Sequence, residues 1–99
     1  MNIYEKIENA RKVLGLDEEA TINELKKAYR EKAKLYHPDN CSTKDCEEKM
    51  KELNLAYDLL LHYCENYKIS FRKEEIIKRG DGIEYEEFVT QRFKEWFGL

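Results

Sequence analysis

His37, Pro38, Asp39 and Cys41 put an imidazole, a carboxylate and a thiol within five positions of one another. These residue types can move a proton, attack an electrophile or meet a charged partner. Catalysis would need a nucleophile within hydrogen-bond reach of a base, and a third group to orient that base. A bare His/Cys/Asp collection supplies no such arrangement, so the chain is not expected to be an enzyme. Cys41, Cys46 and Cys64 include no Cys-x-x-Cys pair, so neither a metal nor another cofactor is expected. Partner contact remains. Proline has no backbone N–H and restricts the residue before it, so a helix running from Thr21 must end at or near Tyr36. His37, Pro38 and Asp39 then sit on an exposed loop, where binding residues concentrate. Lys26, Lys27, Arg30 and Lys34 lie on the helix that leads into it.

The charge pattern sharpens this reading. The 99 residues carry a net charge of −3, which disfavours a general nucleic-acid binder. Residues 21–36 alone carry +3, leaving −6 for the rest of the chain. A positive strip on an acidic protein steers it toward an acidic partner surface, and salt should weaken that attraction. A charge stripe is more commonly just a solvated helix face; the adjoining loop is what gives this one weight. No apolar run approaches the roughly eighteen residues of a membrane helix, and Met1 to Lys6 is too charged for a signal peptide. A cytoplasmic protein with reduced cysteines is expected, Cys46 and Cys64 packing as small apolar residues.

The elements that position these residues read as helices, since Gly and Pro are scarce and charged residues make up 39% of the chain. Asn2 with Glu5 starts a first helix through Ile3, Ile7, Ala10 and Leu14, which Gly15 ends. Thr21 with Glu24 starts a second, its apolar arc made of Ile22, Leu25, Ala28, Tyr29, Leu35 and Tyr36. Lys32 falls inside that arc, where its stem can pack while its ammonium reaches outward or meets a carboxylate. Asp45 with Glu48 offers a cap for a third helix to about Cys64, whose face of Cys46, Met50, Leu53, Ala56, Tyr57, Leu60, Leu61 and Cys64 suits antiparallel packing on the second. A stiff hairpin results, with His37, Pro38 and Asp39 at its tip. Leu55, Leu59 and Tyr63 recur on another side of the third helix and require a cover. The C-terminal region is the candidate. There, a short extended segment and a helical turn around Glu74 to Arg79 lead to Gly80-Asp81-Gly82. Asp81 with Glu84 then caps a helix bearing Tyr85, Phe88, Val89, Phe93, Trp96 and Phe97. No sheet is expected.

Four ordered stretches resemble the J domain of DnaJ-type co-chaperones. Val13-Leu14-Gly15-Leu16 resembles the end of that family's first helix, and Leu25-Lys26-Lys27-Ala28-Tyr29-Arg30 its second. His37-Pro38-Asp39 resembles its signature, and Leu53-Asn54-Leu55-Ala56-Tyr57-Asp58-Leu59-Leu60 its third helix. The resemblance covers roughly residues 9 to 62. It implies an all-α J-domain hairpin with a short N-terminal helix over residues 1–66; after Leu60 the family's basic fourth helix is not evident, and the aromatic stripe is expected to form a packed C-terminal helical extension over 67–99 in its place. It also implies a co-chaperone that binds an ATP-bound DnaK-type (heat shock protein 70) chaperone and accelerates ATP hydrolysis by that partner. Carried over residue by residue, Lys26, Lys27, Tyr29, Arg30 and Lys34 meet an acidic surface of the partner, while His37, Pro38 and Asp39 trigger hydrolysis. The chain departs from the family at Ala10 and Arg11, where aromatics are frequent, at Glu31 in place of a cation, and at Lys32 in place of a core leucine. It has no Gly/Phe-rich linker, so it resembles a J-domain-only protein, expected to be a monomer that binds neither nucleic acid nor membrane. The aromatic stripe could hold a client protein. The alternative is a J-like scaffold that binds a partner, or self-associates through Trp96 and Phe97, without regulating ATP turnover.

Overall fold

Helix boundaries in the computed structural model, which describes residues 1–98, follow local capping chemistry. Helix α1 spans Ile3–Leu14; the Asn2 side chain accepts from the Glu5 N–H at 2.8 Å. It ends at Gly15, whose φ of +69° lies in the left-handed region. The Gly15 and Leu16 N–H groups turn back to the Lys12 and Arg11 carbonyls. Helix α2 spans Ile22–Tyr36 and opens with a reciprocal box. Glu24 N–H donates to Thr21 Oγ1 at 3.0 Å, and Thr21 N–H donates to Glu24 Oε1 at 3.3 Å. Its last bond runs from His37 N–H to the Ala33 carbonyl, because Pro38 has no N–H to continue the ladder. Helix α3 spans Lys44–Glu65. Its cap is Thr43, whose hydroxyl accepts from the Cys46 N–H at 3.2 Å, rather than the expected Asp45. Asp45 instead lies in the first turn and pairs with Lys49 at 3.4 Å.

Both α1 and α2 pack on α3 around Ala10, Leu14, Leu25, Leu53, Ala56 and Leu60. Leu14 and Leu53 are each only 1% exposed; withdrawing such a side chain from water stabilises by about 1.5–3 kcal/mol. Met50, Tyr57, Leu61 and Cys64 border this core as the periodicity of α3 requires. The apolar arc of α2 is narrower than expected. Leu35 is 63% exposed and Ile22 is also exposed, while Ala33 and Tyr36 pack against the core toward the C-terminal end of the helix. Lys32, inside the arc, is half-buried and lays its aliphatic end against Gly15. Its positive charge therefore meets the C-terminal end of α1, where the helix dipole favours a cation. Ile7 and Val13 of α1 join Leu59 at the edge of the core, while Leu55 stays 73% exposed.

Cys41 and Cys46 are joined in a disulfide, which corrects the expectation that the cysteines are reduced and that Cys46 packs as an apolar residue. Thr43 caps α3 and thereby turns the intervening loop, bringing the two Cα atoms to 6.1 Å, within reach of an S–S bond. Cys64 is the one free cysteine among the described residues.

The chain divides into two compact units, the first ending at Tyr67 and the second starting at Lys68. The second contains α4, Lys73–Arg79, and α5, Tyr85–Phe97. Helix α5 follows Glu84 without a side-chain cap, so the expected Asp81 cap is not formed. Phe93 and Phe97 lie one turn apart with ring centroids at 4.6 Å, and no described residue of this unit is buried. Among the described residues there is no strand, and the fold is the expected all-α one.

Candidate protein-docking site

The end of α2 leaves carbonyl groups without helical partners, and the sequence after it supplies donors for them. Pro38 contributes none. Asn40 does, its side-chain amide donating to the Lys34 carbonyl at 2.5 Å. Its backbone N–H and that of Cys41 both return to the His37 carbonyl, at 2.8 and 2.9 Å. Residues 37–41 thus form a closed turn hydrogen-bonded to the last turn of α2. Sequence periodicity placed Asn40 in an undifferentiated polar loop. The available signal was an amide side chain just beyond a proline-stopped helix.

Inside the turn, the Asp39 N–H donates to His37 Nδ1 at 3.1 Å. The Asp39 carboxylate oxygen lies 3.4 Å from the same nitrogen. One nitrogen cannot accept from the amide and donate to the carboxylate at once. The amide contact is the shorter of the two. The Asp39 carboxylate is 88% exposed and so open to a cation from outside. The ring itself is 52% exposed. His37, Pro38 and Asp39 therefore face solvent together, as expected.

Lys26, Arg30 and Lys34 recur every four residues along α2, with Lys27 beside them, and all four are exposed. None has a carboxylate partner within ion-pair distance among the described residues. The stripe thus keeps its full positive charge for an outside partner, and its Lys34 end adjoins the Asn40 anchor of the turn.

Tyr29 is placed differently from the other expected site residues. Its ring stacks on Tyr57 with centroids 4.1 Å apart, and its hydroxyl donates to Asn54 Oδ1 at 2.7 Å. Half-buried, it ties α2 to α3 and so holds the basic stripe and the turn on a fixed shaft. No cluster of three or more metal-ligating side chains occurs among the described residues. No helix among them is long and apolar enough to cross a membrane.

Residues 9–65 match the DnaJ domain. The chain is 37% identical over 97 residues to the chaperone protein DnaJ of Hydrogenobacter thermophilus, covering 94% of this chain and 26% of that protein. It is 49% identical over 55 residues to the DnaJ of Mycoplasmopsis pulmonis, covering 56% of this chain and 15% of that one. Chaperone protein DnaJ 2 of Aquifex aeolicus is 50% identical over 48 residues, 48% of this chain and 13% of its own length. The chain thus spans about a quarter or less of the length of these relatives. No solved structure matches it.

Proposed function

Because this chain belongs to the DnaJ domain family, we propose that it is a cytoplasmic co-chaperone that binds an ATP-bound DnaK-type chaperone and accelerates ATP hydrolysis by that partner. The observation that carries the proposal is the exposed His37–Asp39 turn, hydrogen-bonded to the end of a helix whose exposed cations lie on the same shaft. Lys26, Lys27, Arg30 and Lys34 supply the encounter with an acidic partner surface. His37, Pro38 and Asp39 supply the trigger, the exposed Asp39 carboxylate engaging a cation on the chaperone. Stimulation requires that the J domain bind the hydrolysis-competent chaperone more tightly than the resting one, because equal affinity for both would shift nothing. The chain contributes no catalytic group of its own.

Single-turnover ATP hydrolysis by the cognate chaperone tests this. Wild type should accelerate hydrolysis at low salt, and Asp39→Asn should lose most of that acceleration while keeping its helical circular dichroism. Equal acceleration by the two proteins would refute the assigned trigger. Arg30→Glu should weaken binding more at low ionic strength than at high; an unchanged salt response would remove the basic stripe from the docking surface.

A second reading draws on α5, where Phe88, Phe93, Trp96 and Phe97 are all exposed, Trp96 by 75%. Such a stripe suits a restricted apolar client segment or a second copy of the chain. Light scattering across a concentration series separates the two, since only self-association raises the mass.

A further inference from the structure

Cys41 is the last residue of the docking turn, its N–H bonded to the His37 carbonyl at 2.9 Å. Cys46 stands in the first turn of α3, its N–H bonded to the Thr43 hydroxyl that caps that helix. The same hydroxyl oxygen lies 3.4 Å from Cys41 Sγ, so the six residues close into a compact ring. The Cys41–Cys46 bond therefore attaches the turn to α3, as the Asn40 amide attaches it to α2. Both cysteines are partly exposed, which admits a small thiol or disulfide. Cys64, also on α3, lies roughly 27 Å farther along the helix axis than Cys46, at 1.5 Å per residue. The helix keeps it from competing with Cys41 for Cys46.

We propose that Cys41 and Cys46 are a redox modification site, exchanging with low-molecular-weight disulfides of the glutathione type, and that the oxidised pair holds the His37–Asp39 turn in its docking geometry. The affinity consequence rests on the co-chaperone reading; the conformational one does not. In the reduced chain, one cysteine thiolate attacks a sulfur of the small disulfide, forming a mixed disulfide and expelling one small thiolate. The second cysteine thiolate attacks the protein sulfur of that mixed bond, closing Cys41–Cys46 and expelling the other. The protons lost by the two cysteines end on the two released thiols. Two cysteine sulfurs are oxidised and one small disulfide is reduced. A turn tied to both helices has less freedom left to lose on docking, so the oxidised form binds its partner more tightly. Reduction leaves only the attachment to α2.

The test compares the full-length chain, wild type and Cys64→Ala, after treatment with glutathione disulfide or with excess dithiothreitol. Peptide mapping identifies the bond formed, and hydrogen exchange reads the Asn40 and Cys41 amides. Binding to the ATP-bound DnaK-type chaperone is measured in both states. The expected result is a Cys41–Cys46 bond, amide exchange slowed about threefold in the oxidised form, and affinity about threefold tighter, with both differences erased in Cys41→Ser/Cys46→Ser. Failure to form that bond overturns the proposal, as does identical exchange in the two states or equal, measurable affinity in both. Absence of any binding in either state, with exchange still redox-dependent, sinks the co-chaperone reading and upholds the redox site.

Discussion

Asn40 ties the docking turn to the end of α2, although it is not part of the trigger itself. Its amide satisfies the Lys34 carbonyl at a helix end where Pro38 cannot. Asn40→Ala removes that bond and leaves His37, Pro38 and Asp39 in place. The expected outcome is a fall of several-fold in chaperone stimulation with little loss of stability, about 1 kcal/mol for one exposed hydrogen bond. Urea unfolding beside the single-turnover assay separates the two effects. Undiminished stimulation would show that the turn holds without its anchor to α2. Glu8 poses a different question, about pH. Its carboxyl is held below the usual carboxylate value by the hydrogen bond from the Arg11 guanidinium, and Arg11 in turn donates to the Leu16 carbonyl at 2.8 Å. A lowered folded-state pKa means the pair stabilises α1 at neutral pH, and that this contribution disappears as pH falls below 4.5 through the depressed value. Thermal melts of Glu8→Gln should accordingly lose part of the wild-type decline on acidification. A wild-type slope preserved in the variant would place the acid sensitivity elsewhere.

Among the elements, the α2–α3 hairpin was largely legible because its signals are local. The Thr21/Glu24 box, Pro38, and the spacing of Leu53, Ala56 and Leu60 each decide the structure within a turn or two of chain, as the Gly15 stop does for α1. What could not be read depends on which partner comes near in space. Thr43 and Asp45 are both good caps, and the apolar run after them does not choose between them. Cys41 and Cys46 become a pair only once the turn and the Thr43 cap bring them together. Lys32 looks misplaced on a helical wheel until the end of α1 arrives beside it. Tyr29 was read as a docking residue from resemblance, yet its hydroxyl and ring are engaged with Asn54 and Tyr57. That gives a prediction belonging to the hairpin. Tyr29→Phe should cost about 1 kcal/mol or less and leave chaperone stimulation near wild type. Tyr29→Ala, losing the stacked ring as well, should lower stability by roughly 1 kcal/mol more beyond the lost buried area. Chemical denaturation of both variants measures the difference. A large loss of stimulation in Tyr29→Phe without loss of stability would return the hydroxyl to the docking surface.

At the scale of the whole molecule, the buried core and the docking surface belong to the same unit. Every buried residue among those described lies between Ala10 and Leu60, and the turn and the basic stripe are carried by helices packed on that core. Domains of this size are stable by only about 5–15 kcal/mol. Leu53→Ala, emptying a site that is 1% exposed, should cost about 3 kcal/mol and lower the melting temperature, reducing stimulation only by the fraction unfolded, whereas Asp39→Asn should keep its melting temperature and lose most of its stimulation. Lys68 onward presents the opposite case, with helices of 7 and 13 residues and no buried side chain among those described. Isolated helices shorter than about 12–15 residues are marginal in water, because nucleation fixes several residues for one hydrogen bond. A peptide of residues 68–99 should therefore show little helix by circular dichroism and no cooperative melt. A chain ending at Tyr67 should melt cooperatively and still stimulate the chaperone, because it keeps the core, the turn and all four cations. Cooperative melting of the peptide would reveal a second core, and loss of stimulation in the shorter chain would show that the aromatic helix α5 acts together with the trigger rather than beside it.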